Sequence, residues 1–158
     1  RGGDGNGNGN GNSSGTNDAC AAVAVVDRAY AAAEKLTVMA TVKAWAAAGV
    51  PPRDTGLGAV KAIAKVLERA GLKPSDVALW EVNEAFAAVP IAACREFGLD
   101  EELVNFSGSG CSLGHPIAAS GARMVTTLIY ELQRRGGGIG VAAMCAGGGQ
   151  GGAVVVEV

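Results

Sequence analysis

The sequence has no CxxC pair, a single histidine, few aromatic side chains and no excess of positive charge, and each shortage closes off a class of function. Its four cysteines, Cys20, Cys94, Cys111 and Cys145, are widely spaced, and one histidine cannot complete a zinc site with them, so no metal is expected. A disulfide framework belongs to secreted chains, and no secretory signal precedes these cysteines, so each thiol is either a small buried hydrophobe or a chemical group. Thirteen Lys and Arg against fifteen Asp and Glu leave a net charge of -2, which gives neither nucleic acid nor an anionic membrane a footprint. The longest uncharged stretch, residues 136–156, is too rich in glycine for a spanning helix, and the N-terminus has no charged-then-apolar leader. A cytoplasmic location is the expectation.

What is present is a 49% hydrophobic chain of 158 residues, built on Ala and Val, with material for one domain. Residues 1–11 are almost entirely Gly and Asn, with nothing to bury against their ordering entropy, and are expected to be disordered. Residues 4–9 match the first half of an EF-hand loop, but its twelfth position, which needs a bidentate Glu, is Gly15. Residues 12–158 read as a single domain. Short apolar runs at 21–26, 36–46, 77–82, 139–145 and 153–158 read as strands, with a brief extended piece at 104–106. Helical spacing spans 28–35, a segment from Leu57 to the stop at Gly71, 84–97 before Gly98, and 117–135. Strands alternating with helices, closed by two strands around a glycine turn, predict an α/β fold: three α/β/α layers around a mixed five-stranded sheet.

Three positions stand in loops or at element ends, where packing alone does not explain them. Asn83 follows the strand at 77–82, either as an N-cap for the next helix or as a functional amide. His115, the only histidine, lies in the glycine-rich stretch 108–116 that ends at Pro116, where a helix can start. It reads as a general base or as a structural histidine. Cys145 precedes the turn Ala146-Gly147-Gly148-Gly149-Gln150-Gly151-Gly152, whose unshielded amides can face an anionic oxygen; otherwise it is a buried, inert thiol. The glycines also match GxGxxG, but a strand follows where a dinucleotide site needs a helix.

Taken in order, Asn12-Ser13-Ser14-Gly15-Thr16-Asn17-Asp18, Asn83-Glu84-Ala85-Phe86, Gly114-His115-Pro116 and Cys145-Ala146-Gly147-Gly148-Gly149-Gln150-Gly151 closely resemble the four signature blocks of the C-terminal half of thiolases. The joint occurrence in matching order and spacing is highly specific. The resemblance implies an acyltransferase of the acetyl-CoA C-acetyltransferase type, which condenses two acetyl-CoA molecules to acetoacetyl-CoA and runs the reverse thiolysis. The alternatives are a degradative 3-ketoacyl-CoA thiolase and a non-catalytic thiolase-like partner domain. A hydrolase using Cys145 with His115 would also need a third group to orient the base.

The resemblance implies that His115 takes the proton of a nucleophilic cysteine in the N-terminal half and helps to bind the thioester oxygen, beside a water held by Asn83. It implies that Cys145 is the second acid/base group and that the Gly147 amide belongs to an oxyanion hole. Ser14 would contact the pantetheine arm, and Ala85 and Phe86 would line its tunnel. No cofactor would be bound permanently, coenzyme A thioesters being substrates. The partners implied are an acyl-CoA, the N-terminal half that this sequence does not include, and further copies in a homo-oligomer when complete. Nearby amide dipoles are expected to favour the Cys145 thiolate.

Overall fold

The computed structural model describes residues 11–15 and 17–158. The disorder expected of residues 1–11 thus lies outside the described residues, apart from Gly11, an exposed turn residue. Along the chain come α1 (Arg28–Ala33), β1 (Thr41–Gly49), α2 (Leu57–Ala70), β2 (Leu79–Val82), α3 (Ala88–Phe97), α4 (Ile117–Arg134), β3 (Ile139–Ala146) and β4 (Gln150–Glu157). Helix limits follow local chemistry. Asp27 caps α1 by accepting from the amides of Ala29 and Tyr30. Gly71 and Gly98 end α2 and α3 at φ 66° and 62°, a conformation that costs glycine little.

The sheet order is β1-β4-β3-β2, with β2 parallel to β3 and the other pairs antiparallel. Alternation along the strands divides the core. Trp80 and Val82 of β2 join Val141, Ala143 and Val155 beneath Ile63, Val66 and Leu67 of α2 and Val89 of α3. Leu79, Ala142 and Val156 face Met124, Leu128 and Leu132 of α4 on the other side. The three α/β/α layers are therefore present. α4 buries one face only, through Ala119, Ser120, Met124, Leu128, Ile129 and Leu132, rather than most of its surface.

The sheet has four strands, not five. Residues 21–26 form no strand: they find no ladder partner and stay exposed, Val25 at 78%. The strand expected at 36–46 is shifted to Thr41–Gly49, because its partner β4 offers a register from Glu157 back to Gln150. Residues 104–106 contribute a single bridge, Val104 to Trp80.

Two glycines set how closely α2 can lie on the sheet. A Cβ on Gly151 would overlap the Gly58 carbonyl, and one on Gly58 would overlap the Gln150 carbonyl. The β3–β4 hairpin is fixed nearby, since Gly149 accepts from the Val50 amide at 2.8 Å and donates to Thr55 Oγ1 at 2.8 Å. Gly151→Ala and Gly58→Ala are each expected to destabilise the chain by about 1–3 kcal/mol, the usual cost of overpacking. Gly152→Ala, with open space at its Cβ position, is the control. Urea midpoints of the three variants check this, and an unchanged midpoint for Gly151→Ala contradicts the packing account.

Candidate active site

The site begins where β2 stops. The Asn83 amide donates to Ala143 O at 2.9 Å and so extends the parallel ladder by one residue. Beyond it the chain leaves the sheet, and α3 starts only at Ala88, not at residue 84. Asn83 is therefore no N-cap, being fully buried and five residues before that helix. Its side chain shares a face with Glu81, two residues back, and this face looks towards α4. Across the edge of β2, Asn105, at φ 52°, gives Nδ2 to Val82 O and takes the Val82 amide on Oδ1, both at 2.8 Å. An amide side chain there completes hydrogen bonds that a further strand would otherwise make.

His115 reaches the same place from the opposite layer, at the entrance to α4. Asn83 Nδ2 lies 3.2 Å from His115 Nε2, and Ser120 Oγ lies 2.6 Å from Nδ1. With the Asn83 NH₂ facing it, Nε2 is the acceptor, so the proton of the neutral ring sits on Nδ1 and is donated to Ser120 Oγ. Ser120, buried in the first turn of α4, donates in turn to Pro116 O at 3.1 Å. Backbone geometry is held as well: Asn17 Oδ1 accepts the His115 amide at 3.2 Å. Burial and then the positive charge of Arg123 lower the pKa of His115, which favours the neutral, basic ring near pH 7.

Ser120 is the third group that sequence reading did not find. The available signal was a hydroxyl on the helix stripe shared with Met124 and Leu128, at spacing of four, where a buried polar side chain needs a partner. Arg123 and Glu81 were missed likewise. Arg123 Nη1 donates to Glu81 Oε2 at 2.8 Å, with Glu81 fully buried in β2. Burial raises the Glu81 pKa to about 7, against the lowering effect of Arg123, while the Glu84 charge adds a further rise.

The N-terminal block folds against the residues after Asn83. Ser13 and Phe86 form an antiparallel bridge, and Ala85 O accepts both the Ser14 amide at 3.1 Å and Ser14 Oγ at 3.3 Å. Ser14, Ala85 and Phe86 thus come together, Phe86 half exposed. Glu84 turns to the glycine loop, where Oε2 accepts the Cys111 amide at 3.0 Å, and Ser109 Oγ accepts the Glu84 amide at 3.3 Å. A cavity of about 290 Å³ opens beside this junction, lined by Ser14, Gly15, Asn17, His115 and Ile117.

Cys145 is inside β3, next to its end, rather than in a loop. The parallel register carries it to the same end of the sheet as Asn83, but its buried side chain belongs to the core on the α2 face. Among the described residues it makes no side-chain hydrogen bond to Asn83 or His115. Burial raises its thiol pKa, and the opposing effect of a backbone hydrogen bond is the smaller one. The expected preference for thiolate is therefore reversed in this chain: at neutral pH Cys145 carries its proton. Gly147 lies exposed in the hairpin turn, with Gln150 Nε2 donating to its carbonyl at 3.3 Å.

The sequence profile described as the thiolase C-terminal domain matches residues 36–158. The acetyl-CoA acetyltransferase of Escherichia coli K12 is 47% identical over 141 residues, which cover 89% of this chain and 36% of that enzyme. The 3-ketoacyl-CoA thiolase of Bacillus subtilis 168 is 45% identical over 143 residues, or 90% and 37% of the two chains. The crystal structure of human mitochondrial 3-ketoacyl-CoA thiolase in complex with CoA superposes with a TM-score of 0.85 at 37% identity, covering 93% of this chain and 37% of that one. This chain thus spans little more than a third of the length of these relatives. With the profile covering most of the sequence and both relatives matching about nine-tenths of it, the chain belongs to the thiolase family, as its C-terminal domain.

Proposed function

We propose that this domain supplies the acid/base half of an acetyl-CoA C-acetyltransferase, which joins two acetyl-CoA molecules into acetoacetyl-CoA and catalyses the reverse thiolysis. The observation that carries this reading is the Asn83–His115–Ser120 chain, which leaves Nε2 of the only histidine unprotonated, in a residue that lines a cavity with Ser14, Gly15 and Asn17 of the N-terminal block. A base of this kind suits deprotonation of a thiol held by a second domain. The N-terminal half of the enzyme, with its nucleophilic cysteine, is the partner required, in a cytoplasmic homo-oligomer.

In this mechanism His115 accepts the nucleophile's proton as the sulfur attacks the thioester carbonyl. The proton then passes to the departing coenzyme A thiol, and an acyl-enzyme remains. His115 and a water held by Asn83 stabilise the negative charge that develops on the carbonyl oxygen. For condensation, Cys145 as thiolate removes a proton from the α-carbon of the second acetyl-CoA, whose carbanion attacks the acyl-enzyme and releases the nucleophilic cysteine. For thiolysis, Cys145 as thiol returns the proton to the departing carbanion. Its raised pKa suits it directly to this second role. The Gly147 amide is assigned to the oxyanion site of the acyl-enzyme. Ser14, Ala85 and Phe86, joined at the bridge between the N-terminal block and the turn after Asn83, are assigned to the pantetheine arm of the substrate.

The 158-residue chain assayed by itself is expected to show no thiolysis of acetoacetyl-CoA, and addition of the N-terminal half of a thiolase to restore it. Activity in the isolated chain would mean that one of its own groups is the nucleophile. In the restored enzyme, His115→Ala is expected to slow acylation of the partner cysteine by roughly 10²–10⁴-fold, the usual worth of a general base. Cys145→Ala is expected to leave acylation intact and to abolish condensation. Mass spectrometry of the acyl-enzyme distinguishes the two, and equal loss of acylation in both variants refutes the division of roles.

A further inference from the structure

The turn between β3 and β4 has little conformational preference of its own. Gly147, Gly148 and Gly149 form it, the last two at φ 81° and 84°, and a run of glycines leaves the most backbone freedom to be removed on folding. What holds the turn comes from the connection between β1 and α2. The Val50 amide donates to Gly149 O, and Thr55 Oγ1 accepts the Gly149 amide, both at 2.8 Å. Thr55 Oγ1 also donates to Ala146 O at 3.5 Å, so one hydroxyl joins the end of β3 to the last residue of the turn. The connection is itself stiff. Pro51 and Pro52 fix two φ angles, the Asp54 amide donates to Pro51 O at 2.8 Å, and Thr55 O accepts the Gly58 amide at 3.0 Å as α2 begins.

Val50 acts through its main chain, which any residue other than proline provides, whereas Thr55 acts through its side chain. Gly149 is buried, and a Cβ there would overlap Val50 O and press on the peptide joining Pro51 to Pro52, so the turn already lies hard against the connection. Without Thr55 Oγ1 the Gly149 amide would be a buried donor lacking an acceptor, a state the turn escapes by moving outward to water. Two residues away the Gly147 amide is exposed and donates to no acceptor among the described residues, so its direction follows from the turn alone. Ala146, whose carbonyl Thr55 bonds, stands between Cys145 and Gly147.

We propose that Thr55 is a positioning residue of the site: its hydroxyl clamps the glycine turn, aims the Gly147 amide and fixes the end of β3 next to Cys145. This rests on Gly147 and Cys145 having the roles assigned above, since Thr55 acts through the turn.

Amide hydrogen exchange in the 158-residue chain, followed by NMR, reads the clamp without enzymatic activity. In the parent the Gly149 amide is expected to exchange roughly tenfold or more slower than the Gly147 amide, the equivalent of one hydrogen bond. Thr55→Ala is expected to remove that protection, and Thr55→Ser, which keeps a hydroxyl, to restore it. In the enzyme restored with the N-terminal half, Thr55→Ala is expected to lower kcat for condensation by roughly 10–10²-fold with KM for acetyl-CoA unchanged, because a misdirected oxyanion donor costs less than the roughly 10²–10³-fold of a missing one. Thr55→Ser is expected to recover most of that kcat. Thr55→Val, nearly the same shape without the hydroxyl, takes the place of Thr55→Ala should the latter not fold. A parent in which the Gly149 amide exchanges as fast as that of Gly147 overturns the proposal, as does a Thr55→Ala enzyme that keeps the parent kcat or loses activity through KM alone. A restored parent enzyme with no activity refutes the functional reading and the aim at Gly147 with it, whereas an active parent matched by Thr55→Ala refutes the role of Thr55 alone.

Discussion

The site depends on one constraint, that β2 remains in the sheet only as far as Asn83. The hydrogen bond from the Asn83 amide to Ala143 O holds that residue in strand geometry, so its side chain continues the alternation set by Leu79 and Glu81 and points to the α4 layer. One residue less of pairing would remove the fixed direction of Asn83, and one more would carry Glu84 away from the Cys111 amide that it accepts. Asn105 closes the opposite edge by bonding both polar groups of Val82, so β2 ends as a satisfied strand instead of a frayed one. The turn at 85–87 can then pair with residues 12–14 rather than continue the sheet.

α4 answers that geometry from the other layer. Its apolar face fixes the helix on the sheet through Met124, Leu128 and Leu132, and its first two turns are polar on the same side, with Ser120 and Arg123. Packing therefore sets the distance between β2 and α4, and the hydrogen bonds to His115 and Glu81 are made at that distance. The cost is a carboxyl group buried in β2 with its pKa raised to about 7. For stability the sign is definite. A carboxyl whose folded pKa exceeds its unfolded value contributes fully at low pH, and that contribution is lost as pH rises from about 4.5 through about 7. The lowered pKa of His115 acts in the other direction, favouring the folded state as pH rises through the histidine range. Glu81 in β2 and His115 at the start of α4 thus have pH dependences that oppose each other.

Elements with strong local signals were legible in the sequence. α2 and α4 have apolar stripes of helical period, Gly71 and Gly98 can adopt the left-handed conformation their helices end in, and β3 and β4 flank a glycine turn. Residues 21–26 misled because an apolar run is only a candidate strand until it pairs, and this run pairs with neither β1 nor β2, the edge strands of the β1–β4–β3–β2 order. The motif residues were legible as types, but their grouping was not. Nothing in the spacing of Asn83, His115 and Ser120 states that β2 and α4 face each other, and the side of β3 on which Cys145 falls depends on a register known only from pairing.

The contrast between His115 and Cys145 follows from that register. Burial acts on both, yet it lowers the pKa of an imidazole, whose acid is charged, and raises that of a thiol, whose base is charged. Burial on opposite faces of the sheet therefore favours the free base of His115 and the acid form of Cys145. The proposed thiolytic mechanism, in which one group takes a proton from sulfur and the other delivers one to carbon, calls for these two states together. In the proposed condensing direction Cys145 would first become a thiolate, against the effect of its burial in this domain. The hairpin glycines leave the approach to Gly147 open, with nothing within 4 Å of its Cβ position, so donors from outside the domain have room to reach the Cys145 end of the sheet.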